Sequence, residues 1–121
     1  YPSIYVGRDG IIYITFADAG GTKTADNMAS GWSFITVDSL SAIASSIVVG
    51  SEGSLHIVYY DSSNDDLKYA TNYSGSWVTT TLDSIGDVGN YCDIAIDSND
   101  RLHISYYDAT NGDLKYVTTA D

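Results

Sequence analysis

The chain is 121 residues long and carries five Lys and Arg against sixteen Asp and Glu, a formal net charge of -11. That balance argues against nucleic acid, whose phosphates need a basic stripe, and against an anionic membrane surface. No apolar run approaches the roughly 18 residues of a membrane-spanning helix, and eleven Tyr together with abundant Thr, Ser, Val and Ile describe a nearly all-β chain.

The sequence begins at Tyr1 with no initiator Met, so processing or truncation is expected to have removed any targeting segment. A first strand is predicted over residues 3–6, a turn over 7–10 and a second strand over 12–16. Thr22-Lys23-Thr24 stands where a third strand belongs, and Ser30-Gly31 turns the chain into a fourth over 32–37, which opens on Trp32. The same order then repeats: strands over 46–49 and 55–60, an Asn64-Asp65 turn, a strand over 67–71, a Ser74-Gly75-Ser76 turn and a strand over 77–82 opening on Trp77. It starts a third time with strands over 93–96 and 102–107. Asn111-Gly112 is a strong hairpin signal, because both residues tolerate positive φ, and a strand over 114–118 follows.

The repetition is explicit in the residues. Leu55-His-Ile-Val-Tyr-Tyr-Asp61 recurs as Leu102-His-Ile-Ser-Tyr-Tyr-Asp108, a shift of 47 residues. Ile4, Ile47 and Ile94 coincide, as do Gly10, Gly53 and Asp100, then Phe16, Tyr59 and Tyr106, with a shift of 43 between the first two units. Four short antiparallel strands every 40 to 50 residues predict β-propeller blades; a parallel β-helix is the competing repeat fold, but its coils lack paired hairpins. The expected units are residues 1–43 (a shortened blade 1), 44–90 (blade 2) and 91–121 (blade 3), about 2.75 blades. The third unit stops before its fourth strand, so the array is an incomplete ring, with an unpaired edge at 114–118 that invites a second chain.

The His-Ile-(Ser/Val)-Tyr-Tyr-Asp…Asn-(Gly/Asp)-Asp-Leu-Lys-Tyr pattern resembles the blade repeat of secreted bacterial and archaeal β-propellers, distantly similar to the sialidase-like group. The resemblance spans the chain and is weakest in unit one, where Tyr13 replaces His and Ala17 the second Tyr. It implies an extracellular or cell-surface protein. The Asp-box of sialidases, the arginine cluster and the Tyr-Glu nucleophile pair are unmatched, and Arg8 and Arg101 are the only arginines; sialidase activity is therefore not implied.

Candidate sites are weighed on chemistry. His56 and His103, at equivalent places, fit a structural ring bonded to a neighbouring strand or blade better than a metal ligand. Asp61, Asp66, Asp108 and Asp113 flank Asn- and Asp-rich turns, where short carboxylates cap backbone amides or, alternatively, hold calcium without an EF-hand frame. Trp32, Trp77, Tyr60 and Tyr107 offer rings for stacking a sugar, or for packing between blades. Asn72-Tyr73-Ser74 fits a glycosylation sequon, and the lone Cys92, which leaves no internal disulfide, reads as a small buried side chain. No nucleophile and base pair stands out. The expected function is a binding or structural module that self-associates into a closed ring or filament; the alternatives are a carbohydrate-binding lectin and, less favoured, a fragment of a glycosidase-type enzyme. No cofactor is required beyond the calcium already named.

Overall fold

A computed structural model describes residues 2–40 and 42–119, the side chain of Ala44 excepted. The described residues hold eleven β-strands and no helix: β1 Ser3–Val6, β2 Ile12–Asp18, β3 Gly21–Asp26, β4 Ser33–Asp38, β5 Ala42–Val49, β6 Leu55–Asp61, β7 Asp66–Thr71, β8 Val78–Asp83, β9 Val88–Ile96, β10 Leu102–Asp108 and β11 Asp113–Thr118. They pair antiparallel in sequence order into sheets β1-β2-β3-β4, β5-β6-β7-β8 and β9-β10-β11. Each sheet is one sequence repeat. Unit one does possess a third strand, and β11 is the open edge of the third sheet.

Alternation explains why the sheets stack. Along β6, Leu55, Ile57 and Tyr59 face blade 1 and pack with Tyr13, Val37, Ile47 and Ala70, while Val58, with Val48 and Leu67, faces blade 3 and packs on Ile94, Leu102 and Ile104. A strand covered on both sides is apolar on both sides, and β6 is the most thoroughly buried strand. Cys92 lies in the second of these layers as a free thiol.

The lead strands differ from expectation in length. β5 starts at Ala42 and β9 at Val88, well before the predicted 46 and 93, and each pairs through a register shift, between Ala42 and Ser45 in β5 and opposite Ser105–Asp108 in β9. Gly89, at φ 110, lets the start of β9 lie against the Leu67 backbone; a Cβ there would stand 2.7 Å from Leu67 Cα. The fourth strands begin one residue after Trp32 and Trp77, not on them. At the 109–112 turn Gly112 alone has positive φ, so the Asn111-Gly112 pair is not a two-residue hairpin loop; Asp65 holds the matching left-handed position in blade 2.

Candidate functional site

The turns joining the first and second strand of each blade converge. Each is closed by the same two backbone bonds: Gly7 N to Ile11 O and Gly10 N to Gly7 O, Gly50 N to Ser54 O and Gly53 N to Gly50 O, Asp97 N to Arg101 O and Asp100 N to Asp97 O, all 2.8 to 3.0 Å. The geometry demands a left-handed residue, supplied by Gly10, Gly53 and Asp100 at φ of 82, 88 and 60. Asp100 accepts this backbone conformation and gains a bridge: its carboxylate takes the Ser51 amide at 3.1 Å and the Ser51 hydroxyl, tying blade 3 to blade 2.

Between these turns lies a recess of about 420 Å³, lined by Tyr5, Arg8, Asp9, Glu52, Asp97 and Asp100, among others, with Val49 and Ile96 as apolar wall. Its carboxylates differ in freedom. Asp97 accepts from His103 Nε2 at 2.9 Å and from the Asn99 and Arg101 amides at 2.8 and 3.0 Å. The His103 bond above all, with the Arg101 amide next, brings its pKa down to about 2. A carboxylate only accepts, so His103 carries its proton on Nε2, and when neutral takes the Tyr116 hydroxyl on Nδ1, 2.6 Å away. Asp9 is held by the Ile11 amide. Arg8 and Glu52 enter no hydrogen bond or ion pair among the described residues, and both are exposed. The chemistry available is that of fixed acceptors, one guanidinium and one free carboxylate around a partly aromatic cleft.

His56 repeats half of this arrangement, with Nδ1 2.7 Å from the Tyr69 hydroxyl and the rings stacked. Burial, opposed by Asp100, pushes its pKa down and so favours the neutral ring. Both histidines thus reach a neighbouring strand of their own blade.

The aromatic residues singled out in sequence are not gathered into one place. Tyr60 is buried, with its hydroxyl 2.8 Å from carboxylates of both Asp65 and Asp87; burial and these two bonds push its ionisation up. It offers no ring face to a ligand. Trp77 is half-buried against the layer between blades 1 and 2. Trp32 and Tyr107 are exposed on blades 1 and 3, Tyr107 meeting Tyr91 edge to face at 6.4 Å.

The lead carboxylates of the Asp-rich turns are satisfied within those turns. Asp61 accepts from Ser63 N and Asn64 Nδ2 at 2.9 and 2.8 Å, and Asp108 from Asn111 N and Nδ2 at 3.0 and 2.9 Å. Asp66 and Asp113 pair with them across the turns. Among the described residues no group of three or more His, Cys, Asp or Glu is placed to hold a metal ion. Asn72 accepts the Leu55 amide at 2.8 Å, as Asn27 accepts that of Ile12, so it fastens the end of a strand.

Sequence reasoning missed the pair that locks the blades. In β3-β4 and β7-β8 the register slips so that Val37 and Leu82 are extra residues, and each bulge turns the next side chain toward the following blade. Asp38 thereby receives the Tyr59 hydroxyl at 2.5 Å, with Lys68 Nζ at 3.5 Å. Asp83 receives Tyr106 at 2.8 Å and Lys115 at 2.7 Å. Burial works against both carboxylates, yet the tyrosine, lysine and backbone bonds hold them below their ordinary range. The recurrence of Asp38 and Asp83 at the ends of the fourth strands was the signal available.

These features define an all-β array of propeller-type blades. No family model matches the sequence, and no curated protein matches it. Solved structures do match in fold. A fucose lectin from Kordia zhangzhouensis, in complex with methyl-fucoside, is similar with a TM-score of 0.64 and 15% identity over 100% of this chain and 99% of the lectin chain. An ulvan lyase of a polysaccharide lyase family, bound to -[GlcA(1-4)Rha3S]-, gives 0.63 and 13% over 97% of this chain and 37% of its own. The endo-arabinase from Bacteroides thetaiotaomicron gives 0.59 and 18% over 98% of this chain and 54% of its own.

Proposed function

We propose that the chain is a carbohydrate-binding propeller module, acting outside the cell or on its surface, and that it binds sugar without transforming it. The observation that carries this reading is the end-to-end likeness to a fucose lectin chain. The recess at the converging turns supports it: carboxylates and a guanidinium are bidentate partners for vicinal hydroxyls, and Tyr5 adds apolar area beside them. Binding, as opposed to catalysis, is supported by the way Asp97 and Asp100 are tied down by His103, Ser51 and backbone amides. A residue so held is a rigid acceptor, poorly suited to exchanging a proton with a substrate. The likeness of the blade repeat to secreted propellers supports the extracellular placement.

The test is a broad glycan array followed by calorimetry on the hits, methyl-fucoside included. Binding that falls at least tenfold in Arg8→Ala and in Glu52→Ala, with circular dichroism unchanged, is the expected result. Silence across the array, or binding indifferent to both changes, overturns the reading. Self-association is the second reading, favoured by the open edge of β11, where Leu114 is 81% exposed.

A further inference from the structure

We infer that the sugar held at the recess is an acidic one, whose carboxylate enters a slot between the turns of blades 1 and 2 and is taken there by Arg8. The inference rests on the sugar-binding reading proposed above and adds to it the charge of the ligand.

The seam between blades 2 and 3 shows what such a slot holds. There the Asp100 carboxylate crosses from the turn of blade 3 to the turn of blade 2, accepting from the Ser51 amide at 3.1 Å and from the Ser51 hydroxyl. The repeat matches Ser51 with Arg8, by the shift of 43, and Asp100 with Gly53, by the shift of 47. The same crossing between blades 1 and 2 therefore runs from residue 53 to residue 8, and residue 53 has no side chain to make it. A Cβ added to Gly53 would meet nothing within 4 Å. Arg8, amide and guanidinium alike, has no hydrogen-bond partner among the described residues, and both residues line the recess. The two turns are closed by the same backbone bonds, so the frame that aims Asp100 at Ser51 is present in blade 2 without the carboxylate.

A second carboxylate is missing from the same turn. Asp97, which accepts from His103 Nε2 at 2.9 Å, is matched by Gly50, and a Cβ on Gly50 would stand 3.3 Å from His56 Nε2. His56 keeps its contact with the Tyr69 hydroxyl on Nδ1 and has no acceptor on Nε2 among the described residues. One turn thus carries two acids, while its neighbour carries two glycines beside the groups those acids would serve. At the filled seam the donor is a neutral serine. At the open seam it is a guanidinium, whose planar fork takes a carboxylate through two parallel charge-assisted bonds.

The other charges of the recess leave this one unanswered. Asp9 is bonded to the Ile11 amide, Asp97 to His103 and Arg101, and Asp100 to Ser51. Glu52 alone is uncommitted, and a free carboxylate suits sugar hydroxyls. The net charge of -11 opposes an anion at long range, but at physiological salt screening confines that repulsion to about 8 Å, and the bonds to Arg8 are made at contact. Blades added before the first or after the third would leave both walls of the slot in place.

The experiment is calorimetry with uronic acid oligosaccharides of the galacto and gluco series, each beside its counterpart with the carboxyl groups reduced to alcohols. The unaltered chain should bind an acidic member about tenfold or more tighter than its reduced counterpart, and Arg8→Gln should bind the two alike. Gly53→Asp supplies the slot with a carboxylate of its own, in a backbone conformation that Asp100 already adopts, and should lose that affinity. Gly53→Asn makes the same backbone demand without the charge and should bind nearly as the parent does. Circular dichroism checks each fold; should Gly53→Asp not fold, Arg8→Lys, which keeps the charge, should retain part of a preference that Arg8→Gln abolishes. Equal affinity for acidic and reduced forms, no binding of any acidic member, or a preference that survives Arg8→Gln overturns the inference. The outcomes separate from those of sugar binding: neutral glycans bound without preference for acid remove only the inference, whereas silence of every acidic and neutral glycan removes the lectin reading with it.

Discussion

Replacing Asp38 with Ala should be among the most destabilising single changes available near the surface of the array. The carboxylate accepts from the wholly buried Tyr59, from the Leu40 amide at 2.9 Å, and stands beside Lys68, whose side chain is only 13% exposed. Losing it strands a buried hydroxyl, a penalty of about 1–3 kcal/mol, and leaves a mostly buried ammonium without a partner, so a total of about 3 kcal/mol is expected. Tyr59→Phe alone removes one charge-assisted bond, about 2 kcal/mol. In the Asp38→Ala background that same change removes a hydroxyl with nothing to bond, and should be neutral or stabilising. The double-mutant cycle, read by urea denaturation, should therefore show a coupling of about 2 kcal/mol. Asp83→Ala should be milder, because Lys115 is 36% exposed and can turn to water. Additive single changes, with no coupling beyond about 0.5 kcal/mol, would mean that the Tyr59 and Asp38 contact does not hold the blades together.

Two further changes probe the backbone and the core. Gly89→Ala meets both a positive φ and the Leu67 backbone 2.7 Å from the new Cβ, whereas Gly53→Ala meets only its φ of 88 with nothing within 4 Å. Thermal melts should place Gly53→Ala about 1 kcal/mol below the parent and Gly89→Ala at least twice as far; equal losses would show that the close approach carries no weight. Burial pushes the Cys92 thiol up to about 12, so at pH 8 a thiol reagent should modify the folded chain only as fast as it opens. Labelling at the rate of an unfolded control would refute that placement.

Much of the architecture could be read from the sequence because the strongest repeated pattern, Leu55 to Thr71 and Leu102 to Thr118, carries its own register, with alternate side chains apolar for two different neighbours. Residues 42–45 and 88–92 were not legible as strand. Gly89 and Asn90 look like turn formers, and the pairing passes through irregularities that break any period of two. Trp32 and Trp77 were read as the first residues of the fourth strands because each follows a Ser-Gly turn, yet they precede those strands and Trp77 packs between sheets. The locking role of Asp38 and Asp83 was hidden by the bulges at Val37 and Leu82: simple alternation would have aimed these carboxylates the other way. The recess at the turns was invisible for a different reason, since it is assembled from three hairpins whose proximity depends on how the blades stack.

The Asp38 and Asp83 junctions have the same donors and the same acceptor, and no part of either refers to a blade beyond its immediate neighbour. If blade 2 were excised, Asp38 would face Tyr106 and Lys115 in place of Tyr59 and Lys68, and the chemistry of the seam would be unchanged. Duplication or loss of a whole unit therefore leaves the tyrosine, lysine and aspartate set of each seam intact, and only the Asp100 bridge to Ser51 is particular to one pair of blades.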